Sequence, residues 1–150
     1  MATHRIYLVR HAKAEARRGD DDPGRRLTPE GRLRFERLVK ALGKKLKVAR
    51  VVTSPYARSR ETAEILSEAT GAPLEEDERL ASGASSGKEL IALARGAARG
   101  TALVGHNPEI AEAIARAAGK EHEVKTGAVA ALDVDGKDVA LAWLELPPKG

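Results

Sequence analysis

The chain contains no cysteine, few aromatic residues and no long apolar run. The absence of cysteine excludes a disulfide framework, thiolate catalysis and zinc–thiolate clusters. One Trp, one Phe and two Tyr leave little to stack on exposed bases, which argues against single-stranded nucleic acid as a partner. No stretch has the length of a membrane span or of a secretory apolar segment, so we expect a cytoplasmic protein with no membrane contact.

The charges are numerous and mixed along the chain. Lys and Arg number 26 against 22 Asp and Glu, for a net charge of +4. Because both signs are interspersed, the pattern favours a local anion site over a polybasic surface for nucleic acid. With 150 residues, 42% of them hydrophobic, the chain has the size and apolar content of one domain spanning residues 1–150.

Strand-like and helix-like segments alternate through most of the chain. Strand patterns cover residues 6–9, 48–53, 72–75 and 101–104, and helix patterns cover 28–42, 55–70, 87–98 and 107–118. Near the end, strand-like segments 128–133 and 139–146 flank Asp135-Gly136, which is typical of a hairpin turn. This order predicts an α/β fold with a mostly parallel sheet, helices on both faces and a C-terminal antiparallel hairpin.

Local signals define several helix ends. Thr28 is a predicted N-cap before Pro29, and Gly43 is a predicted stop. Ser86 and Glu89 have the spacing of a capping box. For the first helix we expect a buried face formed by Leu33, Phe35, Leu38, Val39 and Leu42. For the second helix we expect Ala57, Ile65, Leu66 and Ala69 to be buried, with Gly71 as the stop.

Basic side chains follow three of the predicted strands. Arg10 and His11 come directly after residues 6–9, Arg58 lies just beyond residues 51–53, and His106 follows residues 101–104. The carboxyl ends of parallel strands meet at one edge of a sheet, where ligands gather. The helix that begins near Asn107 adds its N-terminal amides at this edge. These groups together predict a phosphate pocket.

Four segments in this order resemble the histidine phosphatase superfamily, which includes the phosphoglycerate mutases. They are Arg10-His11-Ala12, Arg25 to Gly31, Ser54 to Glu64, and Val104 to Pro108. The resemblance implies a phosphoglycerate mutase-like, three-layer α/β/α fold. The short length and the start Arg-His-Ala are similar to the small SixA-type protein phosphohistidine phosphatases.

The resemblance also implies roles for individual residues. His11 would be the nucleophile that becomes phosphorylated, and Arg10, Arg58 and His106 would complete the phosphate pocket. Arg25 would touch the outer part of the substrate. Asn107 is expected to cap a helix, with its amide available to the ligand.

The physical chemistry of these roles is independent of the resemblance. Attack by His11 requires one ring nitrogen unprotonated and the other held as a donor, and His106 is expected to be a cation or at least a donor. Two arginines can compensate the phosphoryl charge, so neither a metal nor a cofactor is expected.

The sequence offers more than one candidate for the general acid that would protonate a leaving group. Relatives that cleave phosphate esters commonly use a glutamate in the central segment, and here Asp77 and Glu78 are the candidates. An imidazole leaving group needs an acid less than an alkoxide does, which favours protein phosphohistidine, such as a histidine-containing phosphotransfer protein, as substrate. The alternatives are a small-molecule phosphomonoesterase or mutase that uses the same pocket, and a catalytically idle phosphate-binding module.

Overall fold

In the computed structural model, which describes residues 3–17 and 22–149, six strands form one sheet. The strands are β1 (His4–Arg10), β2 (Arg50–Thr53), β3 (Leu74–Glu76), β4 (Thr101–Gly105), β5 (Val129–Asp135) and β6 (Asp138–Glu145). Their spatial order is β3-β2-β4-β1-β5-β6, in which the first four strands are parallel and β5 and β6 are antiparallel neighbours. The predicted parallel sheet and C-terminal hairpin are confirmed.

Helices cover both faces of this sheet. They are α1 (Pro29–Leu42), α2 (Ala57–Thr70), α3 (Gly87–Gly96) and α4 (Glu109–Ala118), and short 3₁₀ turns occupy Gly43–Lys45 and Glu78–Leu80. Side chains alternate across β1: Tyr7 and Val9 join the core under α1 and α2, whereas Ile6 and Leu8 join the core under α3 and α4. The predicted three-layer α/β/α arrangement is therefore confirmed.

The predicted helix signals act as expected. The hydroxyl oxygen of Thr28 accepts a hydrogen bond from the Gly31 amide at 2.9 Å. Ser86 and Glu89 form both hydrogen bonds of a capping box at the start of α3. Gly71 ends α2 with φ of 76°, a left-handed conformation that glycine adopts without strain.

Several expectations about the helices and strands were wrong in detail. Leu33 is 48% exposed, and Ala69 is also exposed while Ala57 is half-buried. Ile65 and Leu66 are buried as predicted, but the buried face of α2 also carries polar groups, including Arg58, Glu61 and Thr62. The second strand begins at Arg50 rather than at position 48, and α3 ends at Gly96.

The segment from Lys13 to Arg26, whose Gly, Asp and Arg content is typical of a loop, lies partly outside the described residues. Within the described part, Ala14 and Leu27 form an isolated antiparallel bridge. The Glu61 carboxylate of α2 accepts hydrogen bonds from the Leu27 amide at 2.8 Å and from Arg26 Nε at 2.7 Å. The far end of the loop is thereby tied to α2.

Among residues 3–17 and 22–149, none of the helices combines the length and apolar character that crossing a bilayer requires.

Gly31 allows α1 to approach the segment that follows β1. A Cβ atom at this position would lie well inside van der Waals contact with the backbone carbonyl oxygen of Lys13. We expect Gly31→Ala to lower the free energy of unfolding by about 2 kcal/mol, because backbone on both sides must shift. Urea unfolding measures this change. Gly96→Ala is the matched control, since its added Cβ has no atom within 4 Å apart from its chain neighbours and the backbone of its own helix. Equal losses in the two variants would contradict the prediction.

Candidate active site

The sheet itself brings the two histidines of the predicted pocket together. Parallel pairing of β1 with β4 places Arg10 opposite Gly105, so His11 and His106 leave neighbouring strands at the same level. The His11 amide donates to the Gly105 carbonyl at 3.0 Å. As a result, the two imidazole ring centroids lie 5.2 Å apart.

A cavity of about 340 Å³ opens at this edge of the sheet. Six residues that the sequence singled out line it: Arg10, His11, Arg25, Arg58, His106 and Asn107. Asp22, Lys13, Ser82 and Thr126 also contribute to its wall. The structure therefore brings all the predicted phosphate-pocket residues to one cavity, with a strong excess of positive charge.

His11 is held in one orientation and one protonation state. Its Nδ1 lies 2.7 Å from the Ala12 carbonyl oxygen, which can only accept, so Nδ1 carries the proton. Burial, together with the nearby arginines, lowers the His11 pKa to about 4 despite the opposing effect of that carbonyl. At neutral pH the ring is therefore uncharged and Nε2 keeps its lone pair, as a nucleophile requires.

Thr62 of α2 fixes the backbone beside His11. Its Oγ1 accepts from the Ala12 amide at 2.9 Å and donates to the Arg58 carbonyl at 2.8 Å. Because Thr62 is fully buried, this link positions the backbones of His11 and Arg58 relative to each other.

His106 is buried and bound through one ring nitrogen only. Its Nε2 lies 2.8 Å from Ser54 Oγ, whereas its Nδ1 is buried with no hydrogen-bond partner. Burial, followed by the proximity of His11 and Arg58, lowers the His106 pKa to about 3. The cationic form that the sequence analysis considered is therefore not the resting state, and the donor role depends on the tautomer.

The hydrogen bond to Ser54 is linked to that tautomer. Its Oγ accepts from the Tyr56 amide at 3.1 Å, and the residue is fully buried. The hydroxyl proton then needs an acceptor, and Nε2 of the neutral His106 is the one within reach. If Ser54 donates to Nε2, Nδ1 carries the ring proton and can donate to a bound anion.

The two arginines of the pocket are each held by backbone oxygens. Arg10 Nη1 donates to the Val124 carbonyl at 2.9 Å, and Arg58 Nη1 donates to the Asp22 carbonyl at 2.7 Å. The Nε atoms of both are buried without a partner. Burial lowers the pKa of Arg10 and of Arg58, but a guanidinium titrates so far above neutrality that both remain cations.

Asp22 is a wall residue that the sequence analysis missed. Its Oδ2 lies 3.3 Å from Arg58 Nη2, and its Oδ1 accepts from Arg25 Nε at 2.9 Å. Partial burial raises the pKa of Asp22, but Arg58 and Arg25 more than offset this effect and hold the pKa below its usual value. The carboxylate therefore stays ionised and orients both arginines.

Asp77 and Glu78, the two candidates for the general acid, do not reach the cavity. Asp77 instead accepts hydrogen bonds from the Arg79 amide at 2.9 Å and from Arg79 Nη2 at 2.7 Å. The hydrogen bonds from Arg79 lower the Asp77 pKa, and Glu78 is exposed. The geometry therefore gives neither acid access to a leaving group. In the described part of the chain, Asp22 is the only carboxylate that lines the cavity.

Asn107 lines the cavity but is committed to the backbone. Its Nδ2 donates to the Val124 carbonyl at 3.0 Å, and its Oδ1 accepts from the Ala111 amide at 3.2 Å in the first turn of α4. The N-cap position is Pro108 rather than the predicted Asn107, so Asn107 bonds to the first turn of α4 from one residue before the cap. Across residues 3–17 and 22–149, no group of three or more His, Asp or Glu side chains is arranged to hold a metal ion.

The protonation state of the two site histidines can be observed directly. The chain has four His, so ¹⁵N-histidine labelling gives a simple spectrum. We expect two rings to remain neutral from pH 7 down to about pH 5, because burial places the His11 pKa at about 4 and the His106 pKa at about 3. The variants His11→Ala and His106→Ala assign the signals. A protonated ring at pH 6 at either position would contradict this prediction.

Replacing Ser54 tests its control of the His106 tautomer. We expect Ser54→Ala to lower kcat/KM by about tenfold, as loss of an orienting partner typically does. In the same ¹⁵N spectrum the His106 Nδ1 should lose part of its N–H character, which a merely structural effect would not produce. Ser59→Ala is the matched control, since Ser59 is equally buried but bonds to Thr53 and to the Val104 carbonyl rather than to His106.

Comparison with known proteins agrees with this geometry. Residues 6–85 match the model of the histidine phosphatase superfamily, branch 1. That segment is more than half of the chain and includes Arg10, His11 and Arg58. The chain therefore belongs to the histidine phosphatase superfamily, which places it with hydrolases that act on phosphorylated substrates. A search of curated proteins finds no match.

Solved structures extend the similarity to nearly the whole chain. A protein from Agrobacterium tumefaciens assigned as the phosphohistidine phosphatase SixA is 25% identical, with a TM-score of 0.82 and coverage of 97% of this chain and 99% of that one. A protein histidine phosphatase SixA complexed with tungstate is 22% identical, with a TM-score of 0.80 and coverage of 93% and 95%.

The same fold is also similar to an enzyme that acts on a small molecule. A mycobacterial glucosyl-3-phosphoglycerate phosphatase is 20% identical, with a TM-score of 0.64 and coverage of 94% of this chain and 98% of that one. The fold is therefore SixA-like, and similarity of fold does not by itself define the substrate.

Proposed function

We propose that this chain, acting as a single domain over residues 1–150, removes phosphate from protein phosphohistidine through a phosphorylated His11. The neutral ring, with Nδ1–H bound to the Ala12 carbonyl, presents the Nε2 lone pair to phosphorus. Arg10, Arg58 and the Nδ1–H of His106 would hold the phosphoryl oxygens. Positioning and charge compensation supply most of the catalysis in such a transfer, and no metal is invoked.

The proposed cycle has two balanced steps. In the first, His11 Nε2 forms a bond to phosphorus while the bond from phosphorus to the substrate imidazole breaks, and the electron pair of that bond stays on the leaving nitrogen. A substrate imidazole protonated on its second nitrogen leaves as a neutral ring. In the second step, the oxygen of water forms a bond to phosphorus while the bond from phosphorus to His11 Nε2 breaks. The electron pair of that bond returns to Nε2, and both protons of the water leave with inorganic phosphate.

One observation carries the choice of substrate: the described wall of the cavity has no carboxylic acid able to give up a proton. Asp22 is ionised and paired with Arg25 and Arg58. An alkoxide leaves poorly without a proton, whereas a neutral imidazole needs none at the moment of transfer. The SixA-named neighbours support the same choice, and tungstate bound to one of them is a tetrahedral oxyanion of the size that this cavity is proposed to hold.

A leaving-group series tests this proposal. We would compare kcat/KM for free phosphohistidine, p-nitrophenyl phosphate and an alkyl phosphate such as phosphoserine, all in EDTA. Phosphohistidine and the aryl ester should exceed the alkyl ester by about 10³, the usual contribution of a general acid. Comparable rates on all three substrates would overturn the proposal in favour of a phosphomonoesterase. Phosphate binding without turnover of any of the three substrates would indicate that the protein is a catalytically idle phosphate-binding module.

A further inference from the structure

A second groove adjoins the phosphate cavity. It has a volume of about 200 Å³, and Lys13 and Thr126 line both it and the phosphate cavity, so the two depressions are neighbours on the surface. Its walls carry Lys13, Arg34, Lys125 and Lys149, together with Leu146 and Pro147. We call this region the basic groove. Nothing in the proposed chemistry at His11 uses it.

The charge of the basic groove is only partly compensated. Glu30 forms ion pairs with Arg34 and with Lys13, the latter at 3.7 Å, and Glu123 pairs with Lys125 at 3.5 Å. Neither glutamate lines the groove. The side chains of Lys13, Lys125 and both glutamates are about half exposed or more, so the two lysine pairs are weak and can exchange for the acids of a partner. Arg34 is less exposed, at 32%. Lys149 has no ion pair within residues 3–17 and 22–149.

The basic groove also offers apolar surface. Leu146 is 38% exposed, and it is one of only two large apolar side chains exposed in the described part of the chain. Two glycines let its walls close in: a Cβ at Gly31 would overlap the Lys13 backbone, and one at Gly127 would lie 2.7 Å from Pro147 Cγ. Cationic side chains around a small apolar surface are complementary to a peptide segment with acidic and aliphatic side chains.

We propose that the basic groove binds an acidic segment next to the phosphohistidine of a protein substrate. This inference rests on the proposed function and deepens it, because it names the surface chemistry that the substrate must present. Because the two depressions adjoin at Lys13 and Thr126, a chain whose phosphohistidine enters the cavity can extend over the groove. No aromatic residue lines the groove, so nucleic acid would find no surface for base stacking.

Paired peptides and charge-reversed enzymes test the inference. Short synthetic peptides would carry one phosphohistidine, flanked in one set by glutamates and in the other by glutamines. For the wild type, KM should be about tenfold lower for the glutamate peptide, and added salt should remove the difference. In the double variant Lys125→Glu/Lys149→Glu, that advantage should be lost or reversed while kcat stays unchanged.

Matched controls separate a local effect from one of net charge. Lys40→Glu/Lys137→Glu makes the same change in total charge at two exposed positions outside both cavities, and it should keep the wild-type preference. Equal KM values for both peptides in the wild type, or equal losses in both double variants, would overturn the inference. Inhibition by a single-stranded oligonucleotide as strong as that by the unphosphorylated glutamate peptide would also overturn it.

Free phosphohistidine distinguishes failure of the inference from failure of the proposed function. If the enzyme hydrolyses free phosphohistidine but does not discriminate between the peptides, the basic groove is not a docking surface and the proposed function stands. If neither free phosphohistidine nor either peptide is turned over, the proposed function itself fails.

Discussion

Alanine in place of His11 is expected to lower kcat/KM for phosphohistidine by at least about 10⁴, the scale on which loss of a nucleophile reduces catalysis. The substitution removes a neutral imidazole whose Nδ1 is bound to a backbone carbonyl, which leaves the Nε2 lone pair available. Phosphate release from phosphohistidine, followed over time, gives the rate.

Trapping of the intermediate gives this prediction a second readout. Wild-type enzyme quenched during turnover of ³²P-labelled phosphohistidine should carry an acid-labile, alkali-stable label, and His11→Ala should carry none. His122→Ala is the matched control, because His122 is half-buried and lies outside the cavity. Label on the His11→Ala protein, or a rate within tenfold of wild type, would exclude His11 as the nucleophile.

Loss of the Arg58 side chain is the second large effect. We expect Arg58→Ala to lower kcat/KM by about 10³, because a guanidinium that compensates phosphoryl charge is worth at least this much. Its side chain is only 4% exposed, so its charge acts with little screening by solvent. Steady-state kinetics on free phosphohistidine measures the loss, which should appear mainly in kcat.

Two further variants separate charge from geometry at this position. Arg58→Lys keeps the positive charge but lacks the planar guanidinium group that can bind two oxygens at once. It should therefore be faster than Arg58→Ala but slower than the wild type. Arg60→Ala is the control on the same helix, since Arg60 is exposed and pairs with Glu76 at 3.6 Å. Full activity of Arg58→Lys would reduce the role of Arg58 to a point charge, and equal losses at positions 58 and 60 would contradict the prediction.

The parts of the fold that local chemistry determines could be predicted from the sequence. Thr28, the Ser86–Glu89 capping box and Gly71 act through neighbours a few residues away, so their effect can be read from the chain alone. The pocket was also predictable in outline. His11 and His106 follow apolar strands, and the carboxyl ends of parallel strands must share an edge.

The parts that depend on tertiary contacts could not be predicted. Leu33 fits the helical spacing, yet it is exposed, because the spacing does not say how far the sheet extends beneath α1. Asp22 reaches Arg58 across 36 residues, and Ser54 reaches His106 across 52. Contacts between residues so far apart along the chain follow no periodic pattern that could be recognised in the sequence. Asp77 was a candidate because the resemblance implies an acid in this central segment, but in the structure it bonds to Arg79, two residues away, and does not line the cavity.

The direction of the last strand has a practical consequence. Because β5 is antiparallel to β1 and β6 is antiparallel to β5, β6 points the same way as β1 and delivers Pro147 and Lys149 to the mouth of the basic groove. The first residues of β1 lie at the opposite end of this strand, away from the groove. Affinity tags, fluorophores and surface tethers therefore belong on the amino-terminal side, where they leave the approach of a bulky phosphorylated partner unobstructed.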